Sequence, residues 1–215
     1  MNSSKSSFET NGYLILDRVV SEAEIETIEA NLSSVLVEGA GTRNLLQADW
    51  CRRMAESLRR SPSLESILPT DPVAVQCTYF EKSGNENWLV ALHRDLSIPV
   101  KSRVQSEEWS RWSEKEGMLF ARPPKSLLEA LVAVRVHLED NTELNSPLQV
   151  VPGSHLGAGA SKQRVFCHVR RGGALVMRPL ILHASSKLEE GTRRVLHFLY
   201  GPRALPNHAE WARAI

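Results

Sequence analysis

The sequence predicts a mainly β domain, a sandwich or barrel braced by helices at its N-terminal end. Three observations carry that expectation. Apolar residues recur at helical spacing in the first third of the chain. From Val73 onward the pattern changes to short extended runs separated by turns. No internal repeat and no second domain interrupts the 215 residues, so residues 1–215 are taken as one domain, large enough to bury a real core.

Phe8 to Val20 is a short apolar segment that turns at Asn11-Gly12. Ser21 followed by Glu24 is a capping box, and Ile25, Ile28, Leu32 and Val35 then share one face. A helix from Glu22 to Leu36 follows, ended by Gly39 and Gly41. A second helix is expected from Ala48 to Arg60, where Ser61-Pro62 breaks it, with a short turn or helix over Leu64 to Leu68. Val73, Val75, Cys77 and Tyr79 alternate as in a strand, and Trp88 to Asp95 is another strand candidate. Residues 99–124 form a polar insertion carrying Trp109 and Trp112. It reads equally as a lid over a site or as a surface helix whose tryptophans pack on the core. Five runs follow: LVAVRVHL, LQVVP, RVFCHV, ALVMRPLILH and RRVLHFLYG.

Charge excludes some partners. With 26 basic and 25 acidic residues the net charge is +1, which leaves no electrostatic footprint for nucleic acid or an anionic membrane. Cys51, Cys77 and Cys167 are odd in number and contain no CxxC pair, so neither a zinc ribbon nor a disulfide framework is expected. The N-terminus lacks a basic-then-apolar leader, and the apolar runs fall well short of the roughly 20 residues of a membrane helix. A reducing cytoplasm is the simplest expectation. The glycines form no phosphate-cradling or dinucleotide loop.

The strongest local signal is His93 and Asp95 in NWLVALHRDLSI. Side chains two apart on a strand point to the same face, so an imidazole and a carboxylate stand side by side there. H-x-D alone is a weak signal, and a histidine on an apolar strand is more often a satisfied core residue. His183, ending the run MRPLILH after Pro179, supplies a third ligand. Two histidines and one carboxylate on one side of a metal suit non-haem Fe(II), with open positions for a bidentate 2-oxo acid and dioxygen. Zinc accepts the same three groups, so a zinc-dependent hydrolase or isomerase stays open, as does a non-catalytic barrel that binds a small ligand.

Arg194 follows His183 by eleven residues, across a turn. A guanidinium beside the metal would hold the distal carboxylate of 2-oxoglutarate in bidentate fashion, and the Ser185 hydroxyl would join it. Strand alternation requires that one of Arg193 and Arg194 face inward, and Arg194 is expected to be the one. Trp88 is expected as core or pocket wall. Arg135 and His137 share one strand face, lining the pocket or forming a core pair. His155 is expected to fix a turn, and no motif gives His168, His197 or His208 a role.

These residues resemble the phytanoyl-CoA dioxygenase family of Fe(II)/2-oxoglutarate oxygenases. The family pattern of H-x-D, a distant H-x-S, then an arginine eleven residues past that histidine is matched at His93, Asp95, His183, Ser185 and Arg194. FETNGYLILDRVVSEAEI, HLEDNTELNSPLQVVPGSH and GGALVMRPLILHASS are similar to further family segments, so the likeness runs from about Phe8 to Gly201. It implies a double-stranded β-helix, or jelly roll, with N-terminal helices on one sheet. It also implies Fe(II) and 2-oxoglutarate as cofactor and co-substrate, and a small molecule and dioxygen as the other reactants. Lys82 stands near a family lysine that contacts 2-oxoglutarate, although its place in a turn also fits a surface residue. Asp95 is present where halogenating relatives carry a small residue, which favours hydroxylation. Gly173 and Ser146 depart from the usual family Asp and Gly, and neither is expected to touch the chemistry.

Overall fold

A computed structural model describes residues 3–35, 40–157 and 163–215. The chain opens with helix α1 (Ser3–Asn11) and strand β1 (Tyr13–Leu16), joined at Gly12. Gly12 has φ +79°, and a Cβ there would stand 2.3 Å from Nδ1 of His155, so only glycine fits this corner. Helix α2 (Glu22–Leu32) begins as expected: Ser21 accepts from the Glu24 amide while the Glu24 carboxylate accepts from the Ser21 amide. It stops earlier than its apolar spacing suggests, and Leu36 and Gly39 lie outside the described residues. Strand β2 (Gly41–Thr42) precedes helices α3 (Asp49–Arg59) and α4 (Pro62–Glu65).

The β region starts with the long strand β3 (Pro72–Lys82), followed by β4 (Val90–His93) and β5 (Ile98–Val100). Next come β6 (Ser110–Lys115), β7 (Met118–Arg122), the short helix α5 (Lys125–Ala130) and β8 (Val132–His137). The chain finishes with β9 (Leu148–Val150), β10 (Val165–Cys167), β11 (Ala174–Met177), β12 (His183–Ser185) and β13 (Arg193–Pro202). The run ALVMRPLILH is therefore two strands. Pro179 cannot donate to a ladder, and the chain turns there, with the Ile181 amide bonded to the Arg178 carbonyl.

Three antiparallel sheets result. A six-stranded sheet runs β1-β11-β8-β13-β3-β2, a four-stranded sheet runs β10-β9-β12-β4, and a three-stranded sheet runs β5-β7-β6. The first two form the two walls of a jelly roll. On the outer face of the six-stranded sheet, Val134, Val136, Val176, Leu196 and Phe198 pack on Ile25, Ile28, Met54 and Leu58 from the helices. Tyr200 belongs to the same layer and donates its hydroxyl to the Ala55 carbonyl at 2.8 Å. A second core between the walls includes Val75, Ala133, Leu148, Val150, Leu175 and Ile181.

Ion pairs fasten α2 to this sheet. Arg171 bonds both Glu22 and Glu29, and Arg194 bonds both Glu29 and Glu139. The insertion at 99–124 is not a helix. It is a β-hairpin of β6 and β7, extended by β5, with Glu116 and Gly117 at its tip, both at positive φ. Trp109 is buried and donates its indole N–H to Asn207, while Trp112 stacks on it at 6.3 Å between ring centres.

Candidate metal centre and anion pocket

His93 is the last residue of β4 and His183 the first of β12, and the sheet register pairs them directly. Asp95 lies just past β4, where its amide is held by the Pro179 carbonyl at 2.9 Å. The ligand atoms of His93, Asp95 and His183 all lie within 4.8 Å of one another. Each imidazole Nε2 is 3.6 Å from a different oxygen of Asp95. Ligands bonded to one ion at ~2.0–2.2 Å lie roughly 3–4.4 Å apart, depending on the angle between them, so this spacing fits a shared metal.

Both rings are aimed by main chain. His93 Nδ1 is 2.8 Å from the Ala91 carbonyl, and His183 Nδ1 is 2.9 Å from the Ile181 carbonyl. A carbonyl only accepts, so each Nδ1 carries the proton and each Nε2 keeps its lone pair for a metal. Burial opposes ionisation of Asp95, but the imidazoles of His93, His183 and His197 around it outweigh burial and hold the carboxyl well below its usual range. His93 is raised, first by its bond to Asp95, whereas burial lowers His183.

The support behind the triad comes from PGSH. Ser154 Oγ accepts from the Leu182 amide at 2.7 Å, and Arg94 bridges the carbonyls of Leu180 and Ser154. His155 bonds the Glu9 carbonyl at 3.0 Å, the turn-fixing place expected of it.

A cavity of about 310 Å³ opens beside the triad. Ser185, two residues after His183, lines it, as do Trp88, Arg135, Arg193 and His197. The two adjacent arginines are placed opposite to expectation. Arg193 faces the cavity and is buried, whereas Arg194 faces outward to Glu29 and Glu139. The reason is the alternation along β13. Leu196, Phe198 and Tyr200 share the face of Arg194 and fill the core under the helices, which leaves Arg193, Val195, His197 and Leu199 to the interior.

Lys82 is fully buried, not a surface lysine, and it stands one layer behind the cavity. Its ammonium donates to Ser185 Oγ at 3.0 Å and to the Ser186 carbonyl at 2.6 Å, so it meets the cavity through Ser185. Burial, with the charges of Arg193 and Arg135, pushes Lys82 down to about 7. Ser146 is not remote from this chemistry either. It takes φ +65°, accepts from Lys82 at 3.4 Å, and its carbonyl accepts from Arg193. A glycine would fill such a backbone position without strain, and the serine adds a hydroxyl to the cation pair. Among the described residues no carboxylate bonds Lys82 or Arg193, and Nε of Arg193 is buried without a partner.

Arg135 lines the cavity, and His137 is buried beside it with both ring nitrogens unpartnered. Burial and the neighbouring arginine charges keep His137 far below its ordinary value. No sequence motif marks His197. It shares the inward face of Arg193, and counting in twos from that residue identifies it. Burial pushes it down to about 4, so it is a neutral wall. Phe120 and Lys115 of the hairpin close the opposite side.

Similar proteins agree with this architecture. The profile described as phytanoyl-CoA dioxygenase matches residues 8–195. No curated protein matches the chain at significant similarity. Among solved structures, the non-heme alpha ketoglutarate dependent epimerase SnoN from nogalamycin biosynthesis is 17% identical, with a TM-score of 0.68 over 93% of this chain and 79% of its own. HygX from Streptomyces hygroscopicus, solved with nickel and 2-oxoglutarate bound, is 18% identical, with a TM-score of 0.68 over 96% of this chain and 89% of its own. A nickel complex of the non-heme monooxygenase ThoJ is 17% identical, with a TM-score of 0.69 over 99% and 82%. Likeness at this level of identity establishes the jelly-roll fold. The family follows from the profile, which spans most of the sequence and both metal-ligand segments: this chain belongs to the phytanoyl-CoA dioxygenase family.

Proposed function

We propose that this protein is a non-haem Fe(II)- and 2-oxoglutarate-dependent dioxygenase that hydroxylates a C–H bond of a small molecule. One observation carries the proposal. Two imidazoles and a carboxylate converge on one point, in the same cavity as the buried Arg193 guanidinium, which no carboxylate among the described residues neutralises. A zinc hydrolase would use the first feature and has no need of the second.

In this assignment His93, Asp95 and His183 hold the iron. When bound, iron with 2-oxoglutarate supplies oxygen activation and the oxidising equivalents, and it releases succinate and carbon dioxide. The protein does the rest. Arg193 presents its guanidinium to the distal carboxylate of 2-oxoglutarate. Lys82 donates to Ser185 Oγ, so the Ser185 hydroxyl proton is free to point at the same carboxylate. Arg194 has no part in this, because its guanidinium is engaged by Glu29 and Glu139. Phe80, Trp88 and Phe120 wall the cavity with apolar rings that keep water from the reacting centre. The hairpin of β6 and β7 acts as the lid. The Asp95 carboxylate leaves no position for a halide and favours an alcohol as product. The relatives named above include an epimerase, so the product is decided by assay.

The test is anaerobic loading with Fe(II), then addition of 2-oxoglutarate, dioxygen and candidate substrates. Succinate should form only with all components present, and His183→Ala should abolish it. Succinate formation by the His183→Ala variant, or product formation with Zn(II) and no 2-oxoglutarate, would overturn the proposal.

A further inference from the structure

The cavity holds more positive charge than iron and 2-oxoglutarate use. Its lining includes Arg43, Lys115, Arg135 and Arg193, against a single carboxylate, Asp95. Arg43 is neutralised by Glu116 at 2.9 Å. The two charges of 2-oxoglutarate and that of Asp95 are matched by a divalent metal and Arg193. Arg135 and Lys115 are left over, whichever carboxylate of the co-substrate each cation meets.

Neither has an anionic partner of its own. Among the described residues no carboxylate lies within ion-pair distance of Arg135 or Lys115. Arg135 is 7% exposed, and its Nε is buried with no partner. Its guanidinium lies over the Phe80 ring at 5.4 Å. Lys115 lies over the Phe120 ring at 4.9 Å, with only a 3.5 Å contact to Ser97 Oγ. A ring face holds a cation loosely and leaves its N–H groups free to donate. A buried guanidinium without a counter-charge is unfavourable by several kcal/mol unless a ligand supplies one. The two line one cavity from different sheets, Arg135 from the six-stranded sheet and Lys115 from the hairpin, so an anion held by both would also tie the hairpin to the barrel.

We propose that the primary substrate is an organic anion, a carboxylate or phosphate on an apolar body, held by Arg135 and Lys115. Phe80, Trp88, Phe120, Leu148 and Met177 also line the cavity and suit the apolar body. This inference rests on the assignment of 2-oxoglutarate to the Arg193 end of the cavity, and it goes further by naming the chemistry of the second ligand.

The experiment is calorimetric titration of the full-length, nickel-loaded protein, saturated with 2-oxoglutarate and inert to dioxygen. The probes are phenylpropionate, octanoate and phenethyl phosphate, with phenylpropionamide and octanamide as neutral counterparts. The carboxylates or the phosphate should bind about tenfold or more tightly than the amides. Which of the two anions binds better identifies the head group. Lys115→Gln, at a partly exposed position, should remove most of the preference while leaving 2-oxoglutarate affinity unchanged. Arg135→Gln should remove it as well. Equal binding of acids and amides overturns the proposal, as does the absence of anion binding at millimolar concentration. So does anion binding seen only without 2-oxoglutarate, or a preference that survives Lys115→Gln and Arg135→Gln. If 2-oxoglutarate itself fails to bind the nickel protein, the co-substrate assignment falls too. If it binds and the anions do not, only the present inference falls.

Discussion

Lys82 and Arg193 stand directly opposite each other in the β3–β13 register, both buried, and both donate to Ser146 Oγ, Lys82 also to the Ser186 carbonyl and Arg193 to the Ser146 carbonyl. Like charges opposed across a ladder are destabilising. Under the proposed assignment, 2-oxoglutarate offsets that cost by drawing on both, directly from Arg193 and through the Ser185 hydroxyl from Lys82.

Removing one of these cations should separate binding from stability. Arg193→Met is expected to weaken 2-oxoglutarate binding about a hundredfold, the loss of one partner from a buried, hydrogen-bonded charge pair. Lys82→Met, acting one layer back, should weaken it about tenfold. In the absence of 2-oxoglutarate, both variants should melt at or above the wild-type temperature, because each relieves an opposed charge. Titration calorimetry and thermal melting give the two readouts. A large loss of melting temperature with unchanged affinity would make the pair purely structural.

Arg194 provides the contrast. Arg194→Ala should leave 2-oxoglutarate affinity within about twofold and cost about 1–3 kcal/mol of stability, by stranding Glu139 and leaving Glu29 with Arg171 alone at the junction of α2 with the sheet. Urea unfolding at neutral pH measures it. A variant of full stability that no longer binds 2-oxoglutarate would reverse the assignment of the two arginines.

Lys82 also sets a pH dependence. Its folded-state value is depressed to about 7, below the ordinary lysine value of 10.5. The unfolded chain therefore binds more protons between those limits, and this group makes stability rise as pH rises from about 7 toward 10.5. Below about 7 the penalty of the buried charge is fully present. Lys82→Met should flatten the rise. The binding of 2-oxoglutarate should run the other way, weakening as pH passes upward through about 7. Denaturation midpoints of wild type and variant across this window give the comparison, and parallel curves would exclude the lysine as the source.

The hairpin tip is held by one residue. Glu116 accepts from the Thr42 hydroxyl, the Arg43 amide and the Arg43 guanidinium. Glu116→Ala should accelerate amide hydrogen exchange across Ser110–Arg122 and lower stability by about 1–2 kcal/mol, with exchange at β8 and β13 unaffected. Uniform acceleration over the whole chain would mean that the tip is part of the cooperative core and not a separate lid.

Much of this was legible in the sequence. Ser21 and Glu24 announced α2, and H-x-D with a distant histidine located the three ligands. What local pattern could not decide was which face of β13 turns inward. Alternation allows either of two adjacent arginines, and the choice depends on where Leu196, Phe198 and Tyr200 are buried. That is a tertiary fact, although three large apolar residues in step with Arg194 were a usable clue. The hairpin at 99–124 was hidden for another reason. Its strands expose most of β6, so the polar pattern lacked the alternation that marks a half-buried strand. Ser146, expected to stay clear of the chemistry, meets it because of a left-handed backbone position that a serine does not announce.

The two imidazoles take their aim from carbonyls of Ala91 and Ile181, each two residues back along the same chain segment. The side chains of Ser154 and Arg94 brace the second of these segments from behind, away from the cavity wall. Lineages of this protein can therefore remodel the surrounding walls, cation by cation and ring by ring, while the ion-holding apparatus stays in tune. Selectivity and reactivity are written in separate parts of the polypeptide, and directed evolution of new specificities can begin at Lys115, Arg135 and Phe120 with the ligand segments untouched.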